Sequence, residues 1–191
     1  MADQNPNSSP RVLISRERLE ARVAEMSAEI ERDYLRRAEE LGEGSAPQPL
    51  LCIGVLKGSV FFMVDLLKEI ETLPVKVDFF QTSSYRDGTS PGEVRILKDV
   101  DLAIRDRDVL LIEDIVDTGF TLSTILALLK HRGARSVRLC ALLDKREARK
   151  VNVPIDYCGF EIEDLFVVGY GLDLADRYRN LPYIGVYEED F

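Results

Sequence analysis

A chain of 191 residues, 46% hydrophobic and 31% charged, carries enough apolar material for one well-packed domain and not for two. Its 25 Lys and Arg against 34 Asp and Glu give a net charge of −9, which argues against wholesale binding of nucleic acid, where basic side chains supply most of the affinity. No apolar run approaches the roughly 20 residues that span a bilayer, Met1 to Pro10 has no signal-peptide core, and three cysteines without a CxxC pair read as buried thiols in a reducing, cytoplasmic setting.

After a polar tail over 1–10, Ser15 is placed to cap a helix bearing Leu19, Val23, Met26, Ile30 and Tyr34 on one face. That helix should stop near Gly42, ahead of the polar linker Glu43 to Pro47. Leu50 to Leu56 is a continuous apolar run, the pattern of a strand covered on both faces of a parallel sheet. Lys57-Gly58-Ser59 breaks it, and Val60 to Ile70 reads as a helix. Val75 to Tyr85 is strand-like. Arg86 to Glu93, with Asp87-Gly88 and Pro91-Gly92, has turn chemistry and little to bury, so a mobile loop is expected there.

Val109 to Ile112 reads as a second buried strand that runs into Glu113-Asp114 and a turn. A helix follows from about Thr121 to Arg132, with Gly133 at its end. Val137 to Leu143 is a third apolar strand and Leu165 to Tyr170 a fourth. Strands alternating with helices imply an α/β fold with an open, mostly parallel sheet and right-handed crossovers.

The chemistry concentrates at Val109 to Leu122. A buried strand delivers Glu113, Asp114 and Asp117 to the carboxyl edge of the sheet, where α/β proteins bind ligands. Thr118, Gly119 and Thr121 then open a helix whose free N–H groups, hydroxyls and positive dipole end suit a phosphate. Gly119 permits close approach of the backbone to that ligand. Three neighbouring acids repel one another unless a cation or sugar hydroxyls share the site, and Mg²⁺ is the cation that suits carboxylates together with substrate phosphates. An isolated Asp-Thr-Gly would only cap a helix. The whole strand, acid pair, turn and helix in series points to a site.

This segment resembles the phosphoribosyl-diphosphate motif of the type I phosphoribosyltransferases. The resemblance implies their fold: the open sheet with helices on both faces, plus a small hood over its carboxyl edge built from the N- and C-terminal segments of a single domain, residues 11–191. It also implies that Glu113 and Asp114 bind the ribose hydroxyls and help hold Mg²⁺, and that Asp117, Thr118, Gly119, Phe120 and Thr121 wrap the 5′-phosphate. Phe120 stands where relatives often carry a basic or polar residue, so only its backbone can serve the phosphate.

Further segments resemble the 6-oxopurine, hypoxanthine-guanine branch of that family. Lys57 and Gly58 match the loop that contacts pyrophosphate, Arg179 matches a further pyrophosphate contact, and Ser84 and Tyr85 match the flap that closes over the reacting centre. Lys145 matches the lysine that donates to the purine O6. Phe166, Val167 and Asp173 belong to a segment matching the base site, and the resemblance adds Asp173 to the metal ligands. In this reading Asp117 is the general base at the purine N7, and the substrates are a 6-oxopurine and 5-phosphoribosyl 1-diphosphate. The family generally forms homodimers or homotetramers. Taken singly, Phe166 on an apolar strand reads as core, and Lys57, Lys145 and Arg179 as solvated charges. His131, the only histidine, receives no role, which disfavours a Ser-His or Cys-His nucleophile. Two other readings stay open: a nucleic-acid-binding regulator on the same fold that senses phosphoribosyl diphosphate, and a transferase for another base.

Overall fold

Alternating side chains along the central strands divide the protein into two apolar layers. In the computed structural model, which describes residues 10–43, 47–84 and 94–188 (backbone alone at 83, 84 and 94), strand β2 spans Leu50–Leu56, β5 Asp108–Val116 and β6 Ser136–Asp144. Leu50, Cys52, Leu110, Ile112, Cys140 and Leu142 face one layer; Leu51, Ile53, Val109, Leu111, Leu139 and Ala141 face the other. Helices α1 (Arg16–Glu40) and α2 (Val60–Lys68) cover the first face, and α3 (Phe120–His131) covers the second. Two-sided burial of this kind is what makes the strands read as unbroken apolar runs.

Helix α1 follows its sequence pattern closely. Ser15 caps it by accepting from the Arg18 N–H at 3.4 Å, the five expected apolar residues are buried, and Gly42 follows the last turn at φ 73°. Cys52 and Cys140 are buried free thiols, and burial pushes the Cys52 thiol up to about 12. Among the described residues no helix is long and apolar enough to cross a membrane.

The main sheet has six strands in the order β4-β3-β2-β5-β6-β7, where β3 is Val75–Ser84, β4 Val94–Lys98 and β7 Tyr157–Glu161. All neighbours are parallel except β3 and β4. The chain leaves β2 in one direction through β3 and β4, then returns to the other side of β2 with β5. The carboxyl ends of β2 and β5 therefore flank a switch point, the natural crevice of such a sheet.

The run Leu165 to Tyr170 departs from its expected place. Only Val167–Val168 form a strand, β8, and it pairs antiparallel with β9 (Ile184–Val186) in a separate three-stranded sheet completed by β1 (Arg11–Ile14). The neighbour of β6 in the main sheet is β7, whose sequence YCGFE lacks an apolar run because it lies at the edge and is only partly buried. This small sheet joins N- and C-terminal segments, and its following loop rests on the carboxyl end of β2: a Cβ added at Gly171 would overlap the Gly58 carbonyl. Residues 1–9 of the expected tail, and Tyr85 with the expected loop 86–93, lie outside the described residues.

One buried acid ties β3 to the connection that leads into β5. Asp78 Oδ2 accepts from the N–H groups of Asp101 (2.8 Å) and Leu102 (2.9 Å), while Oδ1 accepts from Phe79 N–H and Lys98 Nζ. Burial raises its pKa, but the bonds from Leu102, Phe79, Asp101 and Lys98 outweigh burial and leave it below the ordinary 3.8. A carboxyl whose pKa is depressed on folding stabilises the fold above the unfolded value and loses that contribution as pH falls through the folded one. Asp78→Ala is expected to cost about 2–3 kcal/mol at pH 7, because two backbone donors are left unpaired. Thermal melts at pH 7 and pH 3 check this: the gap between the variant and the parent narrows at the acid end.

Candidate active site

Strand β5 carries Glu113 and Asp114 within its hydrogen-bonded span and not in the turn beyond it, since β5 continues to Val116. This corrects the expectation of a strand ending at Ile112. Asp114 is buried beneath Gly58, whose hypothetical Cβ would collide with the Asp114 carboxylate, and Glu113, next to it on the strand, is only partly buried. Gly58 therefore lies against the acid with no side chain between them. The Leu56-Lys57 peptide just before it is cis.

Asp117 follows β5 with an exposed side chain, and Gly119 adopts φ 87° at the start of α3. A Cβ there would meet the Val151 carbonyl at 2.6 Å, so the turn needs glycine on both conformational and steric grounds. The first backbone bond of α3 runs from Ser123 N–H to Gly119 O, leaving the amides of Phe120, Thr121 and Leu122 ahead of it. A cavity of about 200 Å³ opens here, lined by Glu113, Asp117, Thr118, Gly119 and Thr121 with Leu56 and Thr82 opposite. Phe120 is partly exposed and is not among its lining residues.

The remaining candidate residues are not part of its lining. Lys57 is exposed and paired with Asp176 at 3.2 Å. Arg179 donates to Gly171 O at 2.6 Å and pairs with Asp173 Oδ1 at 2.6 Å, while Asp173 Oδ2 accepts from the Asp176 N–H. Asp173 is thus engaged on both oxygens, and among the described residues no cluster of three or more His, Cys, Asp or Glu forms a metal site. Lys145 is buried and its ammonium meets Asp164 at 3.1 Å. Val167 is buried, but Phe166 is 51% exposed, its ring edge-on to Tyr187 at 6.3 Å. An aromatic ring left half in solvent is open to a planar partner, whereas the apolar strand pattern suggested core. Ser84 ends β3, and Tyr85 lies outside the described residues.

A family model described as the phosphoribosyl transferase domain matches residues 15–175. The hypoxanthine-guanine phosphoribosyltransferase of Bacillus subtilis is 48% identical over 177 residues, 92% of each chain, and that of Streptococcus mutans is 47% identical over 94% of each. The chain belongs to the hypoxanthine-guanine phosphoribosyltransferase family. Solved structures agree. A hypoxanthine-guanine phosphoribosyltransferase from Bacillus anthracis with HEPES in its active site superimposes with a TM-score of 0.85, at 40% identity, over 95% of this chain and 100% of that one. A hypoxanthine phosphoribosyltransferase variant from Trypanosoma cruzi, in a ternary substrates complex, gives 0.85 at 38% identity over 94% and 95%.

For a phosphoribosyltransferase the electrostatics of the acid pair are informative. Burial, then the neighbouring Asp114 charge, raise the Glu113 pKa well above its ordinary value, and burial raises that of Asp114 from 3.8 to about 6. Glu113 Oε2 is shut off from solvent and has no hydrogen-bond partner among the described residues. Buried polar oxygens are almost always paired, so this one stands out in the fold. Sequence reasoning missed Asp164, Asp176, Tyr187, Thr82 and Arg149 around this site. Thr82 only lines the cavity, each of the others is tied to a partner distant in sequence, and no local spacing signals them.

Proposed function

We propose that this protein transfers the 5-phosphoribosyl group of 5-phosphoribosyl 1-diphosphate to N9 of hypoxanthine and/or guanine, with loss of the N7 proton and release of pyrophosphate, forming IMP or GMP. The observation that carries this reading is the convergence of a partly buried acid, an exposed acid and a helix-opening turn on one cavity at the switch point of the sheet. In our reading the 5′-phosphate sits on the Thr118 to Thr121 turn, held by backbone N–H groups and the two threonine hydroxyls, with Phe120 contributing backbone only. Glu113 and Asp114 take the ribose hydroxyls.

The same pair fits Mg²⁺: a buried and a partly buried carboxylate side by side, one of whose oxygens is shut off from solvent and unpartnered, suit an ion that keeps water and substrate phosphates as its other ligands. Bound there, Mg²⁺ would neutralise phosphate charge on the donor. Asp173 is the third acid we assign to the metal, reached from the pyrophosphate side, and it must first part from Arg179. Lys57, the Gly58 backbone and Arg179 take the leaving pyrophosphate, where negative charge grows as the bond to C1 breaks. The purine enters from the opposite face, so the anomeric centre inverts. Phe166 offers a face for stacking, Val167 and Asp173 border the ring, and Asp117 holds the N7 proton. Closure of the segment that starts at Ser84 and Tyr85 would keep water from the activated donor. A homodimer or homotetramer in the cytoplasm is the setting that family membership supports.

Lys145 selects the base. An ammonium donates and cannot accept, so it favours a 6-oxo group over a 6-amino group. Incubation with the donor, Mg²⁺ and each purine in turn tests the proposal: nucleotide should form from hypoxanthine or guanine and not from adenine. Absence of product from every 6-oxopurine would remove it. Lys145→Ala is expected to raise the base KM by roughly 10- to 100-fold at saturating donor, the loss of one charge-assisted hydrogen bond.

A further inference from the structure

The backbone of the phosphate turn is held almost entirely by one other segment. Three consecutive carbonyls are involved. Val116 O accepts from Lys145 N–H at 3.0 Å, and Thr118 O accepts from both Lys150 and Val151 N–H at 3.0 Å. Those anchors are main chain to main chain. The carbonyl between them, Asp117 O, is instead held by a side chain: Arg149 Nε donates to it at 3.0 Å. Among the described residues the Asp117 carboxylate itself makes no hydrogen bond, so its direction depends on how its own backbone is fixed.

Arg149 is built for that task. Its guanidinium also donates from Nη1 to Val153 O at 3.2 Å and from Nη2 to the Asp144 carboxylate. The Arg149 side chain is 14% exposed and that of Asp144 10%, so the fork is locked between buried acceptors. Its stem packs against the turn as well, since a Cβ on Gly119 would lie 3.0 Å from Arg149 Cδ. Only a planar fork reaches three acceptors in these directions; a lysine ammonium on a flexible stem does not.

We propose that Arg149, braced by Asp144, is a positioning residue that aims Asp117 and couples it to the segment bearing Lys145. The proposal rests on the reading of Asp117 as the group at the purine N7. Because the two backbone anchors survive any change at position 149, the turn should persist without the arginine and lose aim more than affinity.

The test is a kinetic double-mutant cycle on the full chain. Arg149→Lys should lower kcat on the order of 10- to 100-fold, with the donor KM within about twofold, as expected when a reacting group is misplaced by a fraction of an ångström to one ångström. In an Asp117→Asn background the same change should alter kcat by less than about twofold, because the group being aimed is already disabled. Asp144→Asn, which loosens the far end of the fork, gives a second route: a smaller loss with the same disappearance. An equal fractional loss in both backgrounds, or a donor KM that rises in step with the loss, overturns the positioning role and leaves the Asp117 assignment standing. Full turnover in Asp117→Asn alone removes the assignment itself, and the proposal with it.

Discussion

Asp117→Ala lowers kcat by about two to four orders of magnitude, while the donor binds within about twofold of its original affinity. The magnitude is that of a side chain which handles a proton in the transition state. The separation of effects follows from the structure. What is proposed to hold the 5′-phosphate is the set of amides before Ser123 N–H and the hydroxyls of Thr118 and Thr121, and alanine at 117 removes none of them. The backbone around 117 keeps its bonds from Lys145, Lys150 and Val151, so the turn stays formed. Calorimetry with Mg²⁺ and the donor reads the affinity, and rapid-quench assays at saturating base read the chemical step. A variant that turns over at the parental rate sinks the role assigned to this carboxylate. One that loses donor binding in proportion would make Asp117 part of the phosphate cradle instead.

Much of this arrangement could be read from the residues in order. The three central strands are legible because burial on both faces leaves few polar positions to interrupt them, and α1 because Ser15, its apolar stripe and Gly42 agree about where it begins and ends. The phosphate turn is legible because it needs a residue at positive φ beside hydroxyls at a helix start, and Gly119 between Thr118 and Thr121 meets that need. The edge strands are not legible. β1 and β4 carry four and five residues, and β7 mixes a glycine with an acid, because an edge strand buries too little to need an apolar pattern. Leu165 to Tyr170 misleads for the converse reason: its valines are buried, but in the small sheet, and periodicity cannot say which sheet a short run joins.

The acids expose a second limit. A sequence pattern treats Glu113 and Asp114 as the polar end of a strand, yet they continue the β5 ladder opposite Ala141 on β6 and beneath Gly58. Local propensity gives no reason to bury two carboxylates side by side, and the fold does so only where something else will share their charge. The partners Asp164 for Lys145 and Asp176 for Lys57 are invisible for a related reason: they are contacts between residues far apart in the chain, the first joining an exposed acid to a buried lysine and the second joining two exposed charges.

That buried pair should make the ligand-free protein less stable than its own amide variant. Asp114 rises from 3.8 to about 6 on folding, which at about 1.4 kcal/mol per pH unit is about 3 kcal/mol of unfavourable burial at neutral pH. The sign is the reverse of that for Asp78. A carboxyl with a raised folded pKa binds more protons folded than unfolded, so the fold is favoured below the unfolded value and loses stability as pH climbs through the folded one. Asp114→Asn removes the charge, relieves its repulsion with Glu113, and keeps an oxygen for the Ile115 N–H, which donates to Asp114 Oδ1 at 3.0 Å. Part of the gain is offset by the new amide N–H₂, whose donors need partners. A net stabilisation of about 1–2 kcal/mol, or roughly 2–8 °C in Tm for a chain of this size, is expected without ligand at pH 7.5. With the donor and Mg²⁺ at a hundred times the parental Kd the order reverses. The parent gains about 2.7 kcal/mol from binding and the variant, lacking half of the carboxylate pair, gains little. Scanning calorimetry on both proteins with and without ligand resolves the two effects. A variant that melts lower when empty, or that keeps the parental shift when loaded, contradicts the idea that this strand sacrifices stability to hold a sugar and a cation.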